Sequence, residues 1–287
     1  MSKNFYLDKS GGLGDVMWSY FYHDQDYKRS YQNLIKKIKK EEPKSNLFFI
    51  SCSDNSQVKQ FYETNKLIDE LIVLPMSAWE NGSWKIHIKN KQSLLSYGGI
   101  YKDDLSTGAT KEFNLTTEEQ LEYERIKKLG KFVVLHPFGG CPTRSLFHNN
   151  FDLNLLIDLI CACNYNCVIL GGNNNKNKNY YKQTISSKNK NCINLIDAYT
   201  CRLHAALSAN CDFFIGVGSC FSVTAALFNV KSFLFYPSNL KWWIEGKPPQ
   251  KGVDVISQKF RENKNKIEYV EFLSKDLDYL VFDFLLS

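Results

Sequence analysis

The chain has 287 residues, of which 44% are hydrophobic and 23% are charged, and its formal net charge is +6. This length and composition suit a two-domain globular protein and exclude a mainly disordered chain. No stretch approaches the roughly 18 uninterrupted apolar residues of a membrane span, and the mild positive charge does not by itself indicate a nucleic-acid partner.

The nine cysteines occur without the features of a small secreted, disulfide-rich domain. The first residues, MSKNFYLDKSGG, contain no apolar region typical of a signal peptide, so we expect reduced thiols and a cytoplasmic location. Cys161, Cys163 and Cys167 lie in one apolar stretch without a second cluster. We therefore expect them to be buried as small hydrophobic residues rather than to bind zinc.

The first half of the chain alternates between strand and helix patterns. The patterns predict strands over 5–7, 47–51 and 71–74, with helical spacing clearest over 31–38 and a short helix over 58–66. Residues 77–108 have a weaker pattern in which Trp79 and Trp84 lie among Gly and Lys, as expected for an insert or for binding loops.

The alternation restarts near residue 130, after a charged helix that Thr116 and Glu119 open with the spacing of a capping box. The second half predicts strands over 132–135, 167–170, 192–195, 213–216 and 232–235, and helices over 152–163, 201–210, 222–228 and 276–286. We therefore predict domains over 1–129 and 130–273, followed by a helical segment, 274–287, that can pack back on the first domain.

This alternation predicts an α/β protein with mostly parallel sheets covered by helices. We expect two Rossmann-like α/β/α domains that face a central cleft. Ligands bind such folds outside the carboxyl ends of the strands, so the loops that follow predicted strands are the candidate sites.

The first candidate loop contains Gly12, Gly14 and Asp15, between a strand and a helix. It fails as a dinucleotide-binding fingerprint because Met17 occupies the place of the third glycine. Asp15 places a carboxylate in the first turn of the predicted helix. It could act on a ligand in the cleft, or it could only complement the helix dipole.

The second candidate loop runs from His136 to Arg144, after the first strand of the second half. The Arg144 guanidinium suits a bidentate contact with phosphate, although an exposed loop arginine explains it equally well, and Thr143 lies beside it. We interpret His136 as a packed histidine. His148 and His204 are interpreted in the same way, because none of the three has a partner that the sequence identifies.

The third candidate loop joins a buried strand to a helix, and its residues include Gly218, Ser219, Cys220 and Ser222. Free N–H groups at a helix start can bind an anion, and the two serines add hydroxyl groups. Ordinary helix capping by a serine is the alternative interpretation. The D-x-D sequence over 24–26 is interpreted as solvated surface, and no other carboxylate cluster has the spacing of a metal site.

In this order and on these elements, the three loops resemble glycosyltransferase family 9, the heptosyltransferase family with the GT-B fold. Gly14-Asp15-Val16 matches the loop that follows the family's first strand, His136-Pro137-Phe138-Gly139 matches its His-Pro-Gly loop, and Arg144 lies near the place of a family lysine. Gly218 and Val223 replace the acidic residue and the histidine of the family's Asp-Ser-Gly-x-x-His segment, whereas Ser219 is kept.

The resemblance implies an inverting, metal-independent glycosyltransferase, hexosyl- or heptosyltransferase-like, with a nucleotide-diphosphate sugar as co-substrate and no other cofactor. It implies that Asp15 is the general base and that Arg144, Thr143 and the 218–222 loop bind the donor phosphates. Asp197 and Gly171 lie where such folds hold ribose and base. Gly12, Gly14, Trp79 and Trp84 are expected to bind the acceptor, which is a glycan, a protein or a modified DNA base.

Two other classes of function stay open on the sequence. The replacements at Gly218 and Val223 are compatible with a non-catalytic nucleotide- or nucleotide-sugar-binding protein. A nucleoside-diphosphate-sugar epimerase would need a Tyr-x-x-x-Lys pair. Neither Tyr27 nor Tyr31 has a lysine four residues further on, which speaks against such a pair at these two tyrosines.

Overall fold

A computed structural model describes residues 4–10, 17, 20, 30–53, 57–87, 112–137, 152–171, 185, 188–236, 267–271 and 277–287 of the chain. The chain divides into two compact units, Met1–Thr116 and Thr117–Ser287. Among the described residues, no helix has both the length and the apolar run that crossing a membrane requires.

The first unit contains a parallel sheet in which β2 lies between β1 and β3. Its described elements are β1 (Asn4–Ser10), α1 (Tyr31–Glu41), β2 (Asn46–Cys52), α2 (Gln57–Tyr62), β3 (Glu70–Leu74), α3 (Met76–Glu80) and a 3-10 helix (Ser83–His87). The three predicted strands of this half are confirmed, and the segment predicted as an insert begins with two short helical elements.

Helix α1 shows how local sequence produces these elements. The Ser30 hydroxyl accepts a hydrogen bond from the backbone N–H of Asn33 at 3.2 Å, which caps the amino end. Lys39 and Lys40 occupy the last turn, where cations are favoured by the helix dipole. The side chains that recur at helical spacing on its inner face are all buried: Tyr31, Leu34, Ile35 and Ile38.

The second unit contains a parallel sheet of six described strands in the order β6-β5-β4-β7-β8-β9. Its elements are α4 (Thr117–Lys128), β4 (Phe132–His136), α5 (Leu153–Ala162), β5 (Asn166–Ile169), β6 (Cys192–Asn194), α6 (Cys201–Ser208), β7 (Phe213–Val217), α7 (Cys220–Leu227), β8 (Lys231–Tyr236), β9 (Ile267–Glu271) and α8 (Leu277–Leu286). This is the 3-2-1-4-5-6 order of the classical doubly wound fold, in which the strand order reverses between β4 and β7.

The strands of this sheet present alternate residues to two helical layers. One face, which includes Leu135 and Ile215, shares a core cluster with α5 and α8. The opposite face includes His136, whose ring lies edge-on to the Phe221 ring of α7 at 5.0 Å between centroids. Helix α6 packs beside α7 on that side.

The units divide between Thr116 and Thr117, before α4, whereas the sequence placed the boundary after residue 129. Helix α4 belongs to the second unit because it packs against α6 and because its Glu119 pairs with Arg202. The carboxyl-terminal helix α8, which we expected could pack on the first domain, contributes Phe284 to the core of the second unit. Both contacts join segments that are distant in the chain.

Strand β9 was not predicted from the sequence; it pairs in parallel with β8 and is the last of the described strands on that side of the sheet. Its five residues, IEYVE, include two glutamates and have no continuous apolar run. An edge strand needs less apolar surface than a central strand, so its pattern is weaker.

Candidate functional site

The candidate site of the second unit lies at the carboxyl ends of β4 and β7, where the strand order reverses. His136 is the last residue of β4, and it is in register with Gly216 of β7. Ser219 lies two residues after the end of β7 and is the N-cap of α7. Doubly wound folds bind their ligands in the crevice that forms at this reversal.

Gly216 is required by the close approach of these two strands. A Cβ atom added to Gly216 would lie 2.3 Å from the backbone carbonyl oxygen of His136. No real Cβ atom tolerates such a distance, and the atom in its way is backbone rather than a flexible side chain. The glycine therefore allows the β4 and β7 ends, and the residues that they carry, to approach each other.

Ser219 caps α7 through a reciprocal arrangement with Ser222. The Ser222 backbone N–H donates to the Ser219 hydroxyl at 3.4 Å, and the Ser219 backbone N–H donates to the Ser222 hydroxyl at 2.9 Å. The Ser222 hydroxyl in turn donates to the Ser219 carbonyl oxygen at 2.8 Å, and the Ser222 residue is fully buried. The buried Ser222 hydroxyl thus stabilises the turn through its hydrogen bonds, whereas Ser219 is partly exposed at the helix start.

The Ser219 hydroxyl also contacts His136, with 3.0 Å between Oγ and Nδ1. Burial, together with a smaller effect of the nearby His204, lowers the pKa of His136 to about 3. The imidazole is therefore uncharged at neutral pH and can either donate to or accept from Ser219. The sequence indicated a packed His136 without an identifiable partner. The strand order, which brings β4 beside β7, supplies that partner.

Cys220, the first residue of α7, is not prepared for chemistry as a thiolate. Burial raises the pKa of the Cys220 thiol to about 12, so the sulfur remains protonated at neutral pH. A protonated thiol is a poor nucleophile and a poor metal ligand. The predicted role of Gly218 and Cys220 in binding an anion can accordingly rest only on their backbone groups at the start of α7.

A second group of predicted residues meets at the carboxyl ends of β5 and β6. The backbone N–H of Asp197 donates to the carbonyl oxygen of Gly171 at 3.1 Å. Asp197 has a left-handed backbone conformation, with φ of 58°, which aspartate tolerates better than most residues, and its side chain is exposed. The structure thus brings together the two residues that sequence reasoning placed near ribose and base.

In the first unit, the two predicted tryptophans stack on each other just after β3. Their ring centroids are 4.9 Å apart and the planes are inclined by 13°. Trp84 is only 9% exposed and packs with Tyr6 and Ile50 in the sheet core, whereas Trp79 is half-buried. Packing therefore accounts for Trp84, and Trp79 is the one that retains an accessible surface.

The remaining predicted residues lie outside the described part of the chain: Gly12, Gly14, Asp15, Thr143 and Arg144. Within the described part, no group of three His, Cys, Asp or Glu side chains has the arrangement of a metal site. The eight cysteines in that part are free thiols.

No protein-family model and no curated protein matches the chain. Among solved structures, it is similar to a glycosyl transferase family 9 protein from Veillonella parvula, with 13% identity, a TM-score of 0.52, and coverage of 92% of this chain and 97% of that one. It is also similar to ADP-heptose LPS heptosyltransferase II of E. coli, with 12% identity, a TM-score of 0.54, and coverage of 99% and 98%. A third similar structure is E. coli heptosyltransferase WaaC with ADP-2-deoxy-2-fluoro heptose, with 9% identity, a TM-score of 0.51, and coverage of 99% of both chains.

At these identities the similarity concerns the fold, and it extends over nearly the whole length of each chain. It confirms the α/β, Rossmann-like fold class that the alternation of strands and helices predicted, and the GT-B fold that the resemblance of the three loops implied. The chain therefore has the GT-B fold that family 9 glycosyltransferases adopt.

Proposed function

We propose that the protein is an inverting, metal-independent glycosyltransferase that moves a sugar from a nucleotide-diphosphate sugar to a hydroxyl acceptor. One observation carries the proposal: in a chain with this fold, a Ser219-capped helix starts at the reversal point of the second sheet. The amino end of a helix offers unpaired N–H groups and a partial positive charge, which suit the diphosphate of such a donor.

The proposed reaction breaks the bond between the anomeric carbon and the donor phosphate oxygen, while the acceptor oxygen bonds to the opposite face of that carbon. Asp15 takes the proton of the acceptor hydroxyl as general base. The nucleoside diphosphate leaves with increased negative charge, which the start of α7 and the guanidinium of Arg144 stabilise, with Thr143 beside it. In this proposal these fixed groups do the work that a divalent cation does in metal-dependent transferases.

The nucleotide end of the donor is assigned to the turn that contains Gly171 and Asp197. The exposed Asp197 carboxylate can accept hydrogen bonds from ribose hydroxyls, and the Asp197–Gly171 backbone bond holds it at the sheet edge. The solved heptosyltransferases named above use ADP-heptose or were seen with its analogue. Gly218 and Val223 stand where the family has an acidic residue and a histidine. We therefore propose a nucleotide-diphosphate sugar as the donor class, and heptose is not part of the proposal.

The acceptor is assigned to the first unit, where Gly12 and Gly14 precede Asp15 and where the accessible side of Trp79 suits stacking with a sugar ring or a nucleobase. The Trp84 ring stacks on the side of Trp79 that faces the sheet core. A glycan, a protein side chain or a modified DNA base all offer the hydroxyl group that the reaction requires.

The proposal is tested by measuring the thermal unfolding of the protein with ADP, GDP and UDP sugars in the presence of a chelator. We expect at least one to raise the melting temperature, and Ser219→Ala to reduce that rise. Ser30→Ala is the matched control, because it removes an equivalent helix cap in the first unit. A strict need for magnesium or manganese would contradict the metal-independent mechanism.

The replacements at Gly218 and Val223 favour one alternative, a protein that binds the nucleotide sugar without transferring it. This alternative predicts a thermal shift but no product. Release of nucleoside diphosphate in the presence of candidate acceptors, and its loss in Asp15→Asn, would identify the enzyme.

A further inference from the structure

We infer that His136 is a positioning residue for donor binding: its Nδ1–H donates to the Ser219 hydroxyl oxygen, so that the Ser219 proton is free to bind a phosphate oxygen. This inference rests on the proposed function, because it needs a phosphate at the start of α7. It gives a role to a residue outside the set assigned to donor or acceptor binding.

The Ser219 hydroxyl can make only a small number of hydrogen bonds. A serine hydroxyl donates one hydrogen bond and accepts two. The Ser219 oxygen already accepts from the Ser222 backbone N–H at 3.4 Å, and His136 Nδ1 lies 3.0 Å away. One acceptor position and the proton of Ser219 therefore remain. The tautomer of His136 determines whether its Nδ1 atom uses the acceptor position or the proton.

The two tautomers of His136 have opposite consequences for an anion. With the proton on Nε2, Nδ1 is an acceptor and takes the Ser219 proton, so the hydroxyl can offer only lone pairs to a phosphate. Phosphate oxygens at neutral pH accept hydrogen bonds, so lone pairs facing them are repulsive. With the proton on Nδ1, His136 donates to Ser219, and the serine proton can point to the phosphate.

The surroundings hold the imidazole in place for this task. His136 ends β4, whose backbone is pressed against Gly216, and its ring lies edge-on to Phe221. On α6, the His204 ring is likewise edge-on to Phe221, at 5.5 Å between centroids. His136 is only 5% exposed, and burial keeps its pKa near 3, so it stays neutral and exchanges tautomers rather than charge.

The sharpest test compares three proteins for binding to a nucleoside diphosphate and to the corresponding nucleoside. The diphosphate is whichever of ADP, GDP and UDP binds the wild type most tightly. His136→Leu removes the donor, whereas His136→Asn can place an amide N–H close to the position of Nδ1. We expect His136→Leu to weaken diphosphate binding about tenfold, with His136→Asn recovering most of it and nucleoside binding unchanged in both.

A Ser219→Ala background separates positioning from general structural damage. If His136 acts through Ser219, His136→Leu should cause no further loss of diphosphate affinity in Ser219→Ala protein. An equal loss in both backgrounds, or an equal loss of diphosphate and nucleoside binding, would overturn the inference.

The tautomer of His136 can be observed directly in the wild-type protein. In wild-type protein with ¹⁵N-labelled histidine, the diphosphate complex should show His136 Nδ1 protonated and Nε2 unprotonated; the His136→Asn spectrum assigns the signals. An unprotonated Nδ1 in the complex would refute the inference while leaving donor binding intact. A wild type that binds none of the three diphosphates would refute the proposed function and this inference together.

Discussion

The guanidinium of Arg202 and the carboxylate of Glu119 form a buried ion pair, with 3.1 Å between Nε and Oε2. The exposed fractions of the two residues are only 2% and 3%. Glu119 also accepts a hydrogen bond from the hydroxyl of Thr200, the residue that caps α6. The pair joins α4 to α6 and so fixes the helix that follows the Asp197 turn.

Glu119→Gln should therefore destabilise the protein strongly, because it leaves the Arg202 charge buried without its carboxylate. Breaking a buried pair on one side costs about 3–5 kcal/mol. Denaturant unfolding, followed by a spectroscopic signal of the second unit, measures the loss of free energy of unfolding. Glu122→Gln on the same helix is the control: its partner Arg125 has an exposed side chain, so water can solvate the charge left behind and the cost should stay below about 1 kcal/mol. Equal losses would show that burial of the first pair has no energetic consequence.

Gly216→Ala should destabilise the sheet, since its new methyl group would collide with the His136 carbonyl. Forcing an atom into such a packed place costs about 1–3 kcal/mol or more. Gly130→Ala separates this clash from backbone strain. At Gly130 no atom of the described part of the chain lies within 4 Å of an added Cβ, but φ is 93°, so only a conformational cost of about 1 kcal/mol is expected. Gly216→Ala with wild-type stability would mean that β4 and β7 can separate easily.

The stability of the second unit should fall as the pH drops below the ordinary histidine pKa of 6.5. Burial lowers the pKa of His136 to about 3 and that of His204 to about 4, and the buried His204 Nε2 atom has no hydrogen-bond partner among the described residues. Below pH 6.5 these two histidines bind protons in the unfolded chain but stay unprotonated in the folded chain. Their contribution to the free energy of unfolding is therefore complete above that pH. Below it, the free energy of unfolding decreases by about 1.4 kcal/mol per pH unit for each histidine.

Denaturant unfolding between about pH 7 and pH 5 measures this effect. In His204→Asn protein, the decrease over that interval should be smaller than in the wild type by roughly 2 kcal/mol, because one of the two histidines is gone. The comparison cancels the carboxylates that also titrate. Identical pH dependence in the two proteins would show that His204 is not excluded from protonation in the folded state.

Asp15→Asn should preserve folding and donor affinity while lowering the rate of sugar transfer at least about 100-fold, the lower end for loss of a general base. Asn is close to isosteric and caps helices well, so the structural cost should be small. Steady-state kinetics and a melting curve of the same sample check both parts. Early melting would support a dipole or packing role, and wild-type turnover in a stable variant would remove Asp15 from the mechanism.

Arg144→Ala should weaken binding of the nucleoside diphosphate by about 1.5–3 kcal/mol, as expected for a lost charge-assisted contact. Calorimetric titration measures the change. Arg125→Ala removes the same charge from an exposed position on α4 and should leave the affinity unchanged. If the two variants bind alike, Arg144 does not contact the phosphates.

Much of this protein was predictable from local sequence. Helix α1 follows from four apolar residues at helical spacing, a serine cap and lysines in the last turn, all within twelve residues of chain. The start of α7 follows in the same way from Ser219 and Ser222 after a buried strand. Periodicity and capping act between near neighbours, so the order of amino acids determined the α/β class and the loops at the strand ends.

The tertiary structure decided which distant residues meet. His136 and Ser219 are 83 positions apart, as are Glu119 and Arg202, and neither pair has a signal in the local pattern. The first pair depends on β4 lying beside β7, and the second on α4 packing against α6. Strand order and helix packing are set by burial of the whole core rather than by neighbouring residues. That is why the sequence by itself placed Glu119 in a cap and His136 in the core, and only the assembled sheet and helices revealed the partner of each.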